Sequence, residues 1–87
     1  MAVNMQIRIL IVDDARAMVK IISDMLSQIG FTNIKTAASG EEALNILKND
    51  FINLIISDWN MEPLDGLNLL KAVKTNTKFS HIPFIMV

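Results

Sequence analysis

The sequence predicts an α/β protein built on a doubly wound parallel sheet, and two patterns support this prediction. Short aliphatic runs bounded by polar residues, at 9–12, 54–57 and 82–87, are typical of strands buried on both faces. Longer segments with apolar residues at helical spacing lie between the runs. The resulting alternation, β-α-β-α-β-α-β, requires right-handed crossovers between parallel strands. We therefore expect four strands and three helices in one domain over residues 1–87.

The first strand is predicted at 7–12 and the first helix at 15–29. The helix carries one apolar stripe that we expect to face the core, namely Met18, Ile22, Met25, Leu26 and Ile29. Gly30 stands where a left-handed C-terminal cap is usually found, so the helix is expected to end there. A short second strand is predicted at 33–38, near an edge of the sheet.

The start of the second helix is predicted from a capping pattern. Ser39 and Glu42 match Ser-x-x-Glu, in which a hydroxyl and a carboxylate accept hydrogen bonds from free N–H groups at the start of a helix. Glu41 and Glu42 also suit the positive end of the helix dipole. We therefore assign both glutamates to the helix start and not to a functional site.

The second half of the chain repeats the alternation. A third strand is predicted at 52–57, a third helix from Asp65 through Lys74, and a fourth strand at 82–87. The residues of the third helix expected to face inward are Leu67, Leu70 and Val73. Pro83 is tolerable at the first positions of the last strand.

Length, charge and composition exclude several classes of protein. The chain has 87 residues, which suffices for one small domain but is short for a complete doubly wound fold. Eight Lys and Arg against nine Asp and Glu give a net charge of −1, which argues against a basic nucleic-acid-binding surface. There is no cysteine, and the sequence has no membrane-spanning run and no signal peptide. The expected location is the cytoplasm.

Three aspartates follow two of the predicted strands. Asp13 and Asp14 come directly after the first strand, and Asp58 comes directly after the third. If these strands are parallel neighbours, the three carboxylates converge at one edge, where repulsion is costly unless a cation neutralises it. A strand-end aspartate can also simply form a turn, and a buried acid can be neutralised by a basic residue. Here only Arg16 is near in sequence, so a divalent metal is the better explanation.

An all-oxygen set of ligands suits Mg²⁺, which binds through one or two carboxylates and keeps water molecules for a substrate phosphate. With that ion present, a carboxylate such as Asp58 can attack a phosphoryl group and form an aspartyl phosphate. Trp59 and Asn60 follow Asp58, so their backbone groups can line the same pocket. We expect the Trp59 ring to pack beside this pocket.

The segments at 9–14, 56–61 and 64–66 together resemble the receiver domain of two-component response regulators, and the run Asp58-Trp59-Asn60-Met61 is especially similar to the chemotaxis regulators of that family. The resemblance implies a flavodoxin-like fold with strand order 2-1-3-4-5. It implies that Asp58 is the phosphoacceptor, supplied by a sensor histidine kinase or a small phosphodonor. Asp14 and Asp58 would supply side-chain oxygens to Mg²⁺ and Asn60 its backbone carbonyl, while Asp13 would act directly or through water.

By the same resemblance the chain would not be an enzyme beyond self-catalysed phosphorylation and dephosphorylation, and its further partner would be an output or motor protein.

Two departures from the family bear on this expectation. Glu62 stands where the family usually has proline, and Pro63 follows it. The family also has a hydroxyl residue after its fourth strand and a lysine after its fifth, and neither has a match up to Val87. We therefore expect an incomplete receiver, the N-terminal part of one domain, that is impaired in signalling.

One alternative is a receiver fragment without signalling activity that acts as a folding and self-assembly module. The resemblance leaves the strand at 82–87 as an unpaired edge, which invites a partner strand. It also leaves one face of the sheet without a covering helix, so we expect exposed side chains among 9–12, 54–56 and 84–87. Together these features predict a homodimer.

Two enzymatic alternatives are weaker. A dinucleotide-binding fold needs a glycine-rich turn after the first strand, and this chain has Asp13-Asp14-Ala15-Arg16 there, so that class is rejected. An aspartate-nucleophile phosphatase usually has one residue between its two acids after the first strand, whereas Asp13 and Asp14 are adjacent. That class remains a distant second.

Overall fold

The computed structural model describes residues 5–61 and 64–87. Four strands alternate with three helices as the sequence predicts. The strands are β1 (Ile9–Val12), β2 (Ile34–Ala37), β3 (Leu54–Ser57) and β4 (Phe84–Met86), and the helices are α1 (Arg16–Ile29), α2 (Gly40–Asn49) and α3 (Gly66–Thr75). Each strand is shorter than the range predicted for it, because ladder pairing covers only part of each of the ranges 7–12, 33–38, 52–57 and 82–87.

The sheet is parallel throughout and has the order β2-β1-β3-β4. β1 is central, since it pairs with β2 on one side and with β3 on the other. In this register Val12 lies beside both Ala37 and Ser57. The carboxyl ends of β1 and β3 therefore meet at the same edge, and the residues that follow them are neighbours.

The main core lies on one face of the sheet, beneath α2 and α3. Leu10 and Val12 of β1 and Ile55 of β3 are completely buried there, in the same cluster as Ala43 of α2 and Leu69 of α3. Ile9 and Ile11 alternate with these β1 residues and point to the other face, against which α1 packs. The helices are thus divided, two on one face and one on the other.

The inward stripe predicted for α1 is only partly right. No residue of this helix is fully buried, and Met18, Met25 and Ile29 are 45%, 59% and 61% exposed. Ile22 and Leu26 are half-buried and form the actual contact side. The difference arises because α1 is the only described helix on its face of the sheet. A helix without neighbours buries a narrow strip, and the flanks of a wide apolar stripe remain in water.

The sequence placed the starts of α2 and α3 correctly. Ser39 caps α2 by accepting a hydrogen bond from the Glu42 N–H, and the Glu42 carboxylate accepts one from the Ala38 N–H. Asp65 caps α3 by accepting a hydrogen bond from the Asn68 N–H. These side chains satisfy N–H groups that a helix start leaves without a partner.

The inward face predicted for α3 is right at Val73 and displaced by one position at Leu67 and Leu70. Leu69 and Val73 are completely buried, whereas Leu67 is 37% exposed and Leu70 is half-buried. Gly66 is the reason, because it is itself buried and brings the first turn of α3 close to the end of β3. That approach fixes which side of the helix meets the sheet.

The expectation of an uncovered sheet face is correct for β4, wrong for β1 and only partly right for β3, where Leu54 and Ile56 are half-buried and Ile55 is buried. Ile9 and Ile11 are at most 1% exposed, because α1 covers the central strand. On β4, by contrast, Ile85 is 47% exposed, and Val87 just after it is 59% exposed. Exposed apolar side chains therefore lie toward the β4 edge and along the flanks of α1, and Phe51 and Trp59 are further exposed positions outside these two regions.

Candidate metal and phosphoacceptor site

The three aspartates predicted to converge do lie together. Asp13, Asp14 and Asp58 each offer a carboxylate oxygen, and these oxygens all lie within 4.8 Å of one another. Asp13 is buried, Asp58 is half-buried and Asp14 is exposed. The cluster thus runs from a buried carboxyl at Asp13 to a solvent-exposed one at Asp14.

Main-chain hydrogen bonds fix the positions of these residues. The Asp58 N–H donates to the Val12 carbonyl at 2.8 Å, which attaches the end of β3 to the end of β1. The Asp13 N–H donates to the Ala37 carbonyl at 3.0 Å, which attaches β1 to β2. The site is therefore built on three adjacent strands, and its geometry depends on the register of the sheet.

The buried carboxyl of Asp13 is held in an unfavourable environment for its charge. Burial raises the pKa of Asp13 above its ordinary value of 3.8, a hydrogen bond from the Ala15 N–H lowers it, and the neighbouring charges of Asp58 and Asp14 raise it again. The net shift is upward. A negative charge at this position thus destabilises the folded chain unless a cation is close.

The residues present fit a bound Mg²⁺. Both described ion pairs lie elsewhere, between Lys20 and Asp24 and between Lys35 and Asp50. Within residues 5–61 and 64–87, the acidic cluster thus has no basic side chain paired with it. Three uncompensated carboxylates with hard oxygen donors are the chemistry that Mg²⁺ prefers. Asp13, Asp14 and Asp58 would hold the ion, and Asn60 lies two residues beyond Asp58.

The backbone that follows Asp58 is anchored on both sides. The Trp59 N–H donates to the Val87 carbonyl at 3.1 Å, and the Trp59 carbonyl accepts from the Gly66 N–H at 3.0 Å. Trp59 is 51% exposed, so about half of its surface is in water. Asn60 is exposed as well. Glu62 and Pro63, where the sequence departs from the family pattern, lie outside the described residues.

Two residues that support the site were not singled out from the sequence. Ser57 is completely buried, and its hydroxyl donates to the Asp58 carbonyl at 3.0 Å. Gly66 lies so close to Asp58 that a Cβ atom there would be 2.3 Å from the Asp58 carbonyl oxygen. The signal for Ser57 was a lone hydroxyl in an aliphatic strand directly before Asp58, but the approach of Gly66 is visible only in three dimensions.

Comparison with known proteins decides the family. A family model described as the response regulator receiver domain matches residues 9–87. This chain belongs to the response regulator receiver family. The receiver match covers all four strands and includes each of the three aspartates.

Several receivers with known sequences or structures are similar to this one. It is 40% identical to the chemotaxis protein CheY of Pseudomonas aeruginosa over 80 residues, which are 92% of this chain and 64% of that protein. It is 36% identical to CheY-3 of Vibrio cholerae over 84 residues, 97% of this chain and 65% of that one. The chain therefore spans just under two thirds of the length of these relatives.

Solved structures agree with the fold. The structure of the chemotaxis response regulator CheY4 of Vibrio cholerae superposes with a TM-score of 0.86 at 32% identity, covering 93% of this chain and 67% of that one. The signal receiver domain of a histidine kinase from Syntrophus aciditrophicus gives 0.88 at 30% identity, covering 92% of this chain and 60% of that one. The flavodoxin-like, CheY-like fold predicted from the sequence is thus confirmed.

Among the described helices, none combines the length and the apolar character needed to cross a membrane.

Proposed function

We propose that this receiver accepts a phosphoryl group on Asp58 from a sensor histidine kinase, with Mg²⁺ bound at the acidic cluster, and that it acts in chemotaxis signalling in the cytoplasm. The observation that carries the proposal is the convergence of Asp13, Asp14 and Asp58 within 4.8 Å, with no described basic side chain paired to them. The similarity to CheY proteins supports the chemotaxis assignment. The further partner would be an output or motor protein.

The carboxylate of Asp58 is the only nucleophile that the transfer requires. An oxygen of the Asp58 carboxylate attacks the phosphorus, the bond from phosphorus to the donor breaks, and the donor leaves with that electron pair. Bound Mg²⁺ would offset the negative charge of the carboxylate and of the phosphoryl oxygens. Asp14 and Asp58 would hold the ion by side-chain oxygens and Asn60 by its carbonyl, with Asp13 binding directly or through water. Turnover is limited to self-catalysed phosphorylation and hydrolysis.

The test is to incubate the chain with Mg²⁺ and either a phosphorylated histidine kinase or acetyl phosphate, and to locate the label by mass spectrometry. We expect one phosphoryl group on Asp58 and none in Asp58→Asn. Asp24→Asn is the matched control, because Asp24 is an exposed acid paired with Lys20 away from the site. Label that follows Asp13 instead of Asp58 would favour an aspartate-nucleophile phosphatase and would contradict the proposal.

We further propose that the 87-residue chain alone is phosphorylated slowly. Within it, the family's hydroxyl residue and lysine, which would stabilise the transferred charge, have no counterpart. Removal of a single donor that stabilises developing negative charge costs about 10²–10³ in kcat in other enzymes. Rapid and complete labelling of this chain by acetyl phosphate would refute this second point while leaving Asp58 as the acceptor.

A second candidate function, self-association as an assembly module, is favoured by one specific observation. Met25 and Ile29 on α1 and Ile85 and Val87 near the β4 edge are 47–61% exposed. Covering a few hundred Å² of apolar surface would contribute several kcal/mol at about 25 cal/mol per Å², against the entropy of association. We propose a symmetric homodimer through these surfaces, since closed two-fold pairing is the commonest way to cover a self-complementary patch.

Sedimentation velocity across a micromolar concentration series tests the dimer. We expect the sedimentation coefficient to rise with concentration toward that of a dimer. A compact monomer at every concentration would rule out this candidate function and would leave the phosphoacceptor proposal unaffected.

A further inference from the structure

The peptide unit that joins Asp58 to Trp59 is held at both of its polar atoms. Its carbonyl oxygen, that of Asp58, accepts a hydrogen bond from the Ser57 hydroxyl at 3.0 Å. Its N–H, that of Trp59, donates to the Val87 carbonyl at 3.1 Å. A peptide unit held at both ends cannot rotate without breaking a hydrogen bond, so the direction of the chain beyond Asp58 is fixed.

The Ser57 side chain has no other described role. It is 0% exposed, it stands in a strand whose other residues are Leu54, Ile55 and Ile56, and its one described side-chain hydrogen bond is the one to Asp58. A buried hydroxyl gives little to an apolar core, because its desolvation is offset only by the hydrogen bond it makes. A valine would serve packing and strand formation better.

The close approach of α3 makes this peptide unit sensitive to small rotations. Gly66 lies against the Asp58 carbonyl, and a Cβ atom at Gly66 would be 2.3 Å from that oxygen. The next carbonyl along the chain, that of Trp59, accepts from the Gly66 N–H. A rotation at Asp58 would therefore push the Asp58 carbonyl oxygen toward α3 and disturb the hydrogen bond that the Trp59 carbonyl accepts from Gly66. It would also displace Asn60, the next residue along the chain.

We propose that Ser57 is a positioning residue for the metal site, because its hydroxyl fixes the Asp58 peptide unit and so aims the backbone carbonyl of Asn60 at the ion. This inference rests on the proposed function, in which that carbonyl is a ligand of Mg²⁺. Residues that orient the ligands of a metal typically contribute about 10–100-fold to its affinity. Mg²⁺ is especially sensitive to misplacement, since it requires near-ideal octahedral geometry, whereas Ca²⁺ tolerates irregular geometry.

The experiment measures Mg²⁺ and Ca²⁺ affinities of Ser57→Ala by isothermal titration, with the fluorescence of Trp59, the only tryptophan, as a second signal. We expect Mg²⁺ affinity to fall about tenfold. We expect Ca²⁺ affinity to fall less, so that the preference between the ions changes. Ser57→Thr, which keeps the hydroxyl, should recover most of the Mg²⁺ affinity. If Ser57→Ala is too unstable to titrate, Ser57→Cys replaces it, because a thiol is a weak donor.

Val73→Ala is the matched control for a general loss of stability. Val73 is completely buried in α3, and its truncation should lower the melting temperature in EDTA more than Ser57→Ala does, without changing the ratio of the two affinities. Equal Mg²⁺ affinity in Ser57→Ala and the wild type would overturn the inference alone. Absence of Mg²⁺ binding in the wild type would overturn the proposed metal site and this inference with it.

Discussion

The carboxyl of Asp13 makes the free energy of unfolding depend on pH. Its pKa is raised chiefly by burial, so between 3.8 and the raised value the folded chain keeps a proton that the unfolded chain has lost. The free energy of unfolding therefore falls as the pH rises through that window, and it stays lower at neutral pH. Ionised Asp13 thus lowers the free energy of unfolding in the absence of a cation.

We expect Asp13→Asn to raise the melting temperature at pH 7 in EDTA by a few degrees, since each 1 kcal/mol corresponds to roughly 4–8 °C in a domain of this size. The amide oxygen can still accept the hydrogen bond from the Ala15 N–H. The gain should vanish below about pH 4, where the wild-type carboxyl is protonated as well. Asp24→Asn, at an exposed ion pair, should change the melting temperature little. A loss of stability in Asp13→Asn at pH 7 would contradict this account.

Magnesium should stabilise the folded chain through the same cluster. Because the three carboxylates come together only in the folded state, added Mg²⁺ should raise the melting temperature by mass action. At a concentration of 100 times Kd it should add about 2.7 kcal/mol to the free energy of unfolding. Asp58→Asn should abolish or strongly reduce this rise. Thermal denaturation with a Mg²⁺ series measures it, and identical responses of Asp58→Asn and the wild type would mean that the ion binds elsewhere.

At the scale of secondary-structure elements, α3 can lie close to the end of β3 because Gly66 has no side chain. We expect Gly66→Ala to lower the free energy of unfolding by about 1–3 kcal/mol, because the new Cβ would meet the backbone oxygen of Asp58, which cannot move aside as a side chain can. Mg²⁺ affinity should fall as well, since α3 would be displaced from the site. Urea denaturation with and without Mg²⁺ measures both effects.

Lys71→Ala is the control, because Lys71 is exposed on the same helix, and its change should stay within about 0.5 kcal/mol. A Gly66→Ala variant as stable as this control would show that α3 can shift without cost.

The elements that could be predicted from the sequence are those fixed by local patterns. The cap at Ser39, the start of α3 at Asp65 and the convergence of the strand-end aspartates follow from short-range rules and from the parallel order of the sheet. The depth of burial could not be predicted, because it depends on which helices share a face. Met25 and Leu67 have the periodicity of core residues and are nevertheless exposed, the first beside an uncovered flank and the second through the position of Gly66.

In the whole molecule, α2 and α3 cover one face of the sheet, whereas α1 is the only described helix on the other face. We expect Met25→Lys to weaken the proposed self-association at least tenfold, because a charge would replace a side chain that is 59% exposed within the apolar flank of α1. Gln28→Lys adds the same charge to an exposed polar position of the same helix and serves as the control. Sedimentation equilibrium of both variants measures the change, and equal dissociation constants would exclude α1 from the interface.

The hydrogen bond from the Asp58 N–H to the Val12 carbonyl has a consequence for the order of folding. It joins strands that are distant along the chain, with β2 and two helices between them, and such long-range parallel pairing forms slowly. The acidic cluster is complete only after this pairing is made. An ion that binds after the rate-limiting step stabilises the native state without stabilising the transition state. Mg²⁺ should therefore slow unfolding and leave the folding rate unchanged, so that the ion prolongs the lifetime of a sheet that it does not help to assemble.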